Sequence, residues 1–444
     1  MPQADVVVVG AGLAGLTAAA RLAGAGASVH LVAKGHGTTH WGAGGMDVAV
    51  VPGASTPARA VAALAHVPGH PYAYLASDTR PAIEWLLATL AGQGLPYAGG
   101  LDEPIRLVPT AIGGTRPAAI VPDGQAAALR PWAPDEPLVI CGPSGFKDFW
   151  PAAIALSLAR PAVWAGTDNR PVACEALTVD LPGLAGRHNL DALELARRFD
   201  DPAWRGPALD AIARALEARG ARRGSPGRVG LPAVLGLHDH PAALEEARWR
   251  LPLEPFEIPL VPPSVPGVRL HDAFRSVIRR AGGRIQIGQR VAQIEREGNR
   301  VLAVHLEAAV RTFPIRTGAL ILATGSIAGG GLVGTLAGTL EEPVLGLPVE
   351  APGIEDWLAQ DGLDPAGHPL EAAGIRTDAR LRPIDPASGA PVLANVVVAG
   401  ALLAGQRALR ERCGDGVAVT SGWRAAGELI GLPLARAGAS RAVR

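Results

Sequence analysis

Within its first fifteen residues the chain commits itself to one kind of turn. Val6-Val7-Val8-Val9 is an apolar, β-branched run, and Gly10-Ala11-Gly12-Leu13-Ala14-Gly15 follows directly. An apolar-faced helix from Leu16 to about Ala25 comes next, and Ser28 to Val32 supplies a second strand-like run at βαβ spacing. In a strand, Gly-x-Gly-x-x-Gly turn and helix, the first glycine allows a sharp turn. The second leaves room for a pyrophosphate, and the third lets helix and strand close up. The helix N-terminus then offers N–H groups to the phosphates. This predicts a Rossmann-like α/β domain with Gly10, Gly12, Leu13, Ala14 and Gly15 against a dinucleotide; a purely structural glycine turn is the alternative.

The second strand narrows the choice of dinucleotide. Where an acidic residue would hold the adenosine ribose, the chain has Ala33 and Lys34. Lys34 suits the 2′-phosphate of NADP, or a flavoprotein branch in which Lys34 and the next loop replace the carboxylate. The loop Gly35-His36-Gly37-Thr38-Thr39-His40-Trp41-Gly42-Ala43-Gly44-Gly45-Met46-Asp47 favours flavin. Thr38 and Thr39 offer hydroxyls to phosphate, and Gly44-Gly45 lets backbone approach a flat ring. A mobile surface loop is the alternative.

Composition removes several function classes. The chain has 444 residues, enough for two or three domains or one large α/β unit with an insertion, and 48% of them are hydrophobic. Its 41 basic and 41 acidic residues cancel, which argues against a general nucleic-acid or anionic-membrane surface. Three distant cysteines, Cys141, Cys174 and Cys413, cannot make the paired spacing of a zinc or iron–sulfur site and suit a reducing compartment. His238 and His240 lack a nearby third ligand, so no metal is expected. The first strand begins at the N-terminus, so no signal peptide is expected. Thr317 to Leu340 has no charged residue, but seven of its 24 positions are glycine. A buried strand plus a cofactor loop fits it better than a membrane span.

Further along, Leu138-Val139-Ile140-Cys141 reads as a strand before Gly142-Pro143-Ser144-Gly145, a turn or an anion loop, with the turn preferred. Residues 95–262 read as an inserted α/β cap that closes on substrate. Leu260 to Gly267 reads as an irregular, Pro-rich return linker. Residues 1–94 and 263–444 form the split cofactor domain. Within the latter, Val291 lies in a short strand, and Ala323-Thr324-Gly325 ends another. Asn395 to Ala401 is the last strand, with Gly400 and Ala401 at the cofactor. Gly414, Gly416 and Val417 open a final helix, Ala418 to Ile430, whose N–H groups face the charge that a reduced flavin gathers.

Several segments carry a resemblance. Thr39-His40-Trp41 with Met46-Asp47, His70-Pro71-Tyr72, Gly142-Pro143-Ser144-Gly145-Phe146, and Asp148-Phe149 all contribute. So do Pro262-Pro263-Ser264-Val265-Pro266-Gly267-Val268-Arg269-Leu270, Leu322-Ala323-Thr324-Gly325-Ser326 with Gly330-Gly331-Leu332, Glu342-Pro343-Val344-Leu345-Gly346-Leu347, and Cys413-Gly414-Asp415-Gly416-Val417. Nearly end to end, the chain resembles the second subunit of the anaerobic glycerol-3-phosphate dehydrogenases, which groups with the fumarate reductase and aspartate oxidase flavoproteins. The Pro-Pro-Ser-Val and Glu-Pro-Val-Leu-Gly-Leu segments are its most specific parts. The resemblance implies a GR2-type FAD-binding domain and oxidation of sn-glycerol 3-phosphate to dihydroxyacetone phosphate, with electrons sent to quinone. It implies a sister FAD-containing catalytic subunit, an iron–sulfur membrane-anchor subunit, and a cytoplasmic place peripheral to the inner face of the membrane. FMN or FAD is the family's flavin; the pyrophosphate turn favours FAD. Asp415 departs from the family's glycine. Thr38 stands where related dehydrogenases attach flavin covalently, so non-covalent flavin is expected.

Oxidising a secondary alcohol needs a base and a hydride acceptor, and a phosphorylated substrate needs cations. His40 is the leading base candidate, with a structural histidine as the alternative. Arg116 is the phosphate candidate, with a surface ion pair as the alternative. Arg269, near His271, is a third candidate, with helix-start packing as the alternative. Three other readings stay open: a non-catalytic electron-relay subunit, a free-standing flavin oxidoreductase on another small acid, and an NADP-dependent reductase resting on Lys34 alone.

Overall fold

The computed structural model describes residues 2–133, 136–161, 174–307, 313–364 and 366–431. The chain divides into two compact units. One comprises Met1–Thr38, Asp47–Thr89 and His271–Arg444, and the other Thr39–Met46 and Leu90–Leu270.

The first unit is built on a seven-stranded sheet. Gln3–Val9 lies between Val29–Ala33 and Phe313–Leu322, parallel to both, and Arg284–Ile287 and Val396–Val398 extend the parallel part on either side. The central strands are runs of Val, Ile, Leu and Ala buried on both faces, as a helix-covered parallel sheet requires. The N-terminal half of Phe313–Leu322 also pairs antiparallel with Arg300–Leu306, which pairs with Val291–Glu297. The helices Leu13–Gly24 and Gly414–Leu429 belong to this unit. The register places Val9 opposite both Val32 and Leu322, and Leu322 opposite Val398. Four parallel strands therefore end in one row, the edge at which open α/β sheets bind ligands.

The second unit carries its own parallel sheet, in the order Glu254–Ile258, Arg228–Pro232, Leu138–Pro143, Cys174–Val179. Its core includes Ile140, Phe149, Phe199, Leu209 and Phe256. The strand continues through Gly142 and Pro143, and the turn lies at Ser144 and Gly145. Gly145 has φ +74°, and a Cβ on it would lie 1.7 Å from the Arg187 carbonyl oxygen.

The first helix starts at Leu13 and the last strand shortens to Val396–Val398, and two late helices also start earlier than expected. The Pro-rich linker is helical from Val265, and the helix runs to Arg280. Proline is tolerated in a first turn because its missing N–H has no partner there; the Val268 N–H bonds the Ser264 carbonyl. The final helix starts at Gly414, a turn before Ala418, because the Val417 N–H closes on the Cys413 carbonyl at 2.8 Å.

Candidate functional site

The glycines of the first turn have separate jobs. Gly10 has φ +120°, and a Cβ on it would lie 2.1 Å from the Ala323 carbonyl oxygen. A Cβ on Gly15 would lie 2.0 Å from the Gly10 carbonyl oxygen. Both are packing glycines. Gly12 differs: a Cβ there meets no atom within 4 Å. It caps the helix Leu13–Gly24 without a side-chain hydrogen bond, and the first turn has no acidic residue. The first intrahelical bond runs from the Leu16 N–H to the Gly12 carbonyl. The N–H groups of Leu13, Ala14 and Gly15 precede it and need an outside acceptor. Beside them, at the end of the neighbouring strand, the Thr324 hydroxyl is buried without a partner among the described residues. An open face, uncapped N–H donors and an orphaned hydroxyl fit the pyrophosphate of a dinucleotide.

The row of strand ends collects other expected residues. The Gly10 N–H bonds the Val32 carbonyl, the Ala323 N–H bonds the Val9 carbonyl, and the Ala399 N–H bonds the Leu322 carbonyl. Lys34 is exposed just past the second strand. The Ala33 carbonyl accepts the N–H groups of Gly288 and Gln289, so Val291 follows within two residues of the same strand end. Gly325 has φ +83°. Gly400 has φ +76°, and a Cβ on it would lie 2.8 Å from the Ala14 Cβ. Its N–H is taken by the Ser421 hydroxyl. Gly400 therefore serves close packing, with Ala401 following in the same short 3-10 turn.

At the start of the last helix, Gly414 has room for a methyl, whereas a Cβ on Gly416 would lie 2.2 Å from the Tyr72 hydroxyl oxygen. The Gly416 N–H bonds the Asp47 carbonyl, and Val417 is buried. Asp415 accepts the Asp47 N–H at 3.0 Å. Beneath this turn, His70, Glu411 and Cys413 converge. His70 Nδ1 accepts the Tyr72 N–H at 3.0 Å, which leaves the ring proton on Nε2, 3.3 Å from Glu411 Oε2. Cys413 Sγ lies 3.5 Å from the same oxygen. Burial pushes the Cys413 thiol far up, reinforced by that carboxylate. Burial also pushes Glu411 up, but the bonds from His70 and the Arg407 N–H outweigh it and hold the carboxyl below its ordinary value.

The loop carrying His40 belongs to the second unit. Three consecutive carbonyls are held by side chains: Ser264 Oγ donates to Gly42, Gln125 Nε2 to Ala43, and the Tyr97 hydroxyl to Gly44. The Met46 N–H bonds the Ile120 carbonyl. Gly44 (φ +85°) is packed against Pro266 and Pro122, and a Cβ on Gly45 would lie 3.4 Å from an Arg116 guanidinium nitrogen. A Cβ on Gly267 would lie 2.6 Å from the His40 carbonyl oxygen. His40, Gly44, Gly45 and Arg116 are thus brought together. Thr38 and Thr39 open the 3-10 turn Thr38–Trp41 that presents His40. Sequence reasoning missed Tyr97, Gln125 and Ser264, although Ser264 lies in the Pro-Pro-Ser-Val segment that carried the resemblance.

Arg269 lies in a buried ion pair. It is 5% exposed, donates Nε to the Gly236 carbonyl, and pairs through both terminal nitrogens with Glu257 at 2.7 and 3.0 Å. Three of its five N–H donors are held in this buried pairing, so the guanidinium serves the frame of the second unit. Burial raises the Glu257 carboxyl, but Arg269 and His240 together hold it below its ordinary value. Burial, with Arg269 nearby, pulls His240 down. His240 Nδ1 bonds the Leu235 carbonyl, and the ring is buried in the frame of the second unit.

Residues 5–417 match the family model described as FAD binding domain. The second subunit of the anaerobic glycerol-3-phosphate dehydrogenase of Yersinia pestis is 31% identical over 96% of this chain and 98% of its own length. The chain belongs to this family of FAD-binding dehydrogenase subunits. A probable member from Halobacterium salinarum, named for the same subunit of the same enzyme, is 30% identical over 95% of the chain and 97% of its own length. Among solved structures, a 3-ketosteroid delta1-dehydrogenase from Sterolibacterium denitrificans aligns over 97% of the chain, at 11% identity and a TM-score of 0.44. As a family member the chain is a FAD-binding flavin oxidoreductase subunit. Among the described residues no helix is long and apolar enough to cross a membrane.

Proposed function

We propose that this chain is the second subunit of an anaerobic glycerol-3-phosphate dehydrogenase. In that assembly sn-glycerol 3-phosphate is oxidised to dihydroxyacetone phosphate and electrons pass to quinone. The observation that carries the reading is the match of the whole chain to its dehydrogenase relatives along almost their whole length, on a chain whose Gly12 turn is open for a dinucleotide. A sister FAD-containing subunit and an iron–sulfur membrane-anchor subunit complete the assembly, on the cytoplasmic face of the membrane.

Each residue group has a defined task in this reading. The first-turn N–H groups of Leu13, Ala14 and Gly15, with Thr324, hold the pyrophosphate. Lys34 and the backbone near Val291 hold the adenosine end. Thr38 and the turn from Gly414 to Val417 hold the rest of the cofactor, without a covalent bond. FAD supplies the two-electron acceptor when bound. A ring nitrogen of His40 takes the hydroxyl proton of the substrate, and the Arg116 fork holds its phosphate. Arg269 and Glu257 keep the second unit in shape.

The test is the visible spectrum of the purified, FAD-loaded protein before and after anaerobic addition of glycerol 3-phosphate. Bleaching of the oxidised-flavin band by the chain alone, or only with the sister subunits present, supports the reading. No bleaching in either case refutes the substrate assignment.

A further inference from the structure

One stretch of the first unit has a surface unlike the rest of this neutral chain. Residues 327–375 contain eight carboxylates and no lysine or arginine. Two arginines reach in from outside: Arg376 pairs with Glu350, and Arg410 donates to the Ala366 carbonyl. Glu342 is buried, and its carboxylate accepts the N–H groups of Val344 and Leu345 at 2.8 Å. Glu341, Glu355, Asp356 and Asp361 remain exposed.

The same stretch exposes large apolar side chains. Val333–Gly334 and Leu340–Glu341 form a two-stranded hairpin with Leu336, fully exposed, at its tip. The tip is ordered by the Thr335–Thr339 backbone and hydroxyl bonds. It rests on Ile354, since a Cβ on Gly338 would lie 2.6 Å from Ile354 Cδ1. Ile354 begins a 3-10 turn that ends at Asp356, with Trp357 still in a helical conformation. Trp357 is held through its ring N–H to Pro352 and its carbonyl to Leu370. Ile354 and Leu358 are both more than half exposed.

We propose that Leu336 and Ile354 form the centre of a protein-docking face, and that its occupant is a different polypeptide presenting an apolar pocket rimmed by lysine or arginine. The held hairpin and turn supply an ordered apolar centre, and Glu355, Asp356 and Asp361 supply an acidic rim. An anionic bilayer would repel that rim. A second copy packed about a two-fold axis would set the same carboxylates against themselves. The inference rests on the proposed place of the chain in a dehydrogenase assembly, and it names the face by which the chain meets its sister subunits.

The test assembles the FAD-loaded chain with the sister flavoprotein and iron–sulfur subunits and measures affinity at low and high salt. The variants are Leu336→Asp, Glu355→Lys with Asp356→Lys, and Glu245→Lys as a control in the second unit. The expected result is a loss of about tenfold or more for the first two, salt-weakened binding of the wild type, and no change for the control. Flavin content and melting temperature should stay at wild-type values. Full affinity in both test variants overturns the face and leaves the proposed assembly standing. Failure of the wild type to assemble with either subunit overturns both. Self-association, or binding to phosphatidylglycerol vesicles, that Leu336→Asp abolishes overturns the choice of occupant.

Discussion

Replacing Gly12 and Gly15 by alanine, one at a time, separates cofactor space from packing space. Gly15→Ala drives a methyl to 2.0 Å from the Gly10 carbonyl oxygen, with the Val8 side chain at 3.4 Å behind it. Overpacking of this kind costs about 1–3 kcal/mol, and here the nearest opposing atom is backbone, which cannot rotate away. Gly12→Ala drives a methyl into open space at φ −76°, ψ 178°, a conformation alanine adopts freely. The flavin-free Gly12→Ala protein should therefore melt close to the wild type, since the gain of about 0.4–1 kcal/mol from Gly→Ala at a compatible site is offset by the poorer fit of alanine at an N-cap. Its FAD affinity should fall at least about tenfold, or about 1.4 kcal/mol, because the methyl takes the space at the first-turn N–H groups. Calorimetry of flavin-free and FAD-loaded protein, with a fluorescence titration of FAD, measures both effects. The order expected for flavin-free stability is Gly12→Ala close to wild type, with Gly15→Ala clearly below. Wild-type FAD affinity in Gly12→Ala refutes the cradle, and a flavin-free Gly12→Ala as unstable as Gly15→Ala refutes the open space.

Other outcomes follow from the same geometry. Arg269→Met leaves Glu257 buried without its cation and should cost about 3–5 kcal/mol of stability in denaturant unfolding. Glycerol 3-phosphate affinity should hold in whatever fraction stays folded, and a selective rise in KM would restore Arg269 to the substrate. Gly416→Ala should destabilise the protein by about 1–3 kcal/mol through its clash with the Tyr72 hydroxyl. Adding Tyr72→Phe should recover part of that loss, and strict additivity in a double-mutant cycle would refute the contact. His30 and His240 are held below their ordinary value of 6.5 by burial. The unfolded chain protonates them first, so stability is full above that value and falls as pH drops below it. Glu257 and Glu411, held below their ordinary 4.5, add a second loss as pH drops further. His240→Gln should flatten the first loss in urea midpoints measured across pH, and an unchanged first slope would count against it.

Local signals carried the cofactor half of the molecule well. The β-branched run, the glycine turn and the following helix are short-range features, and each residue type there has one dominant physical use. The Ala-Thr-Gly strand end and the last Val-Val-Val strand were legible for the same reason. What the sequence hid lies in long-range pairings. Nothing around Arg269 tells of Glu257, because the partner sits on a strand twelve residues earlier and only the folded sheet brings them together. Nothing around Gly44 tells of Tyr97. The helical start at Val265 was masked by prolines, which read as breakers unless the first turn is recognised. The Glu-Pro-Val-Leu-Gly-Leu segment shows both sides. Its Gly and Pro announce a turn, but that Glu342 is the buried acceptor organising the turn emerges only from the hydrogen bonds.

The convergence of His70, Glu411 and Cys413 raises one more question, and the placement of protons answers it. Their ligand-type atoms lie within 4.8 Å of one another, close enough for a metal ion on distance alone. A histidine that binds metal through Nε2 carries its proton on Nδ1 and donates it. Here Nδ1 faces the Tyr72 N–H, and two donors cannot share that contact. The consistent order puts protons on Nε2 and Sγ, so that His70, Cys413 and the Arg407 N–H all donate to Glu411 Oε2. The carboxylate then locks the start of the final helix to the segment from Asp47 to Val50, whose last N–H bonds the Glu411 carbonyl. Glu411→Gln should cost about 1–3 kcal/mol, since buried donors lose a charged acceptor. Cys413→Ser keeps a donor and should cost less. Zinc should leave the melting temperature of the wild type unchanged. A zinc-dependent rise that Cys413→Ser and His70→Asn both abolish would refute this proton order and make the triad a metal site.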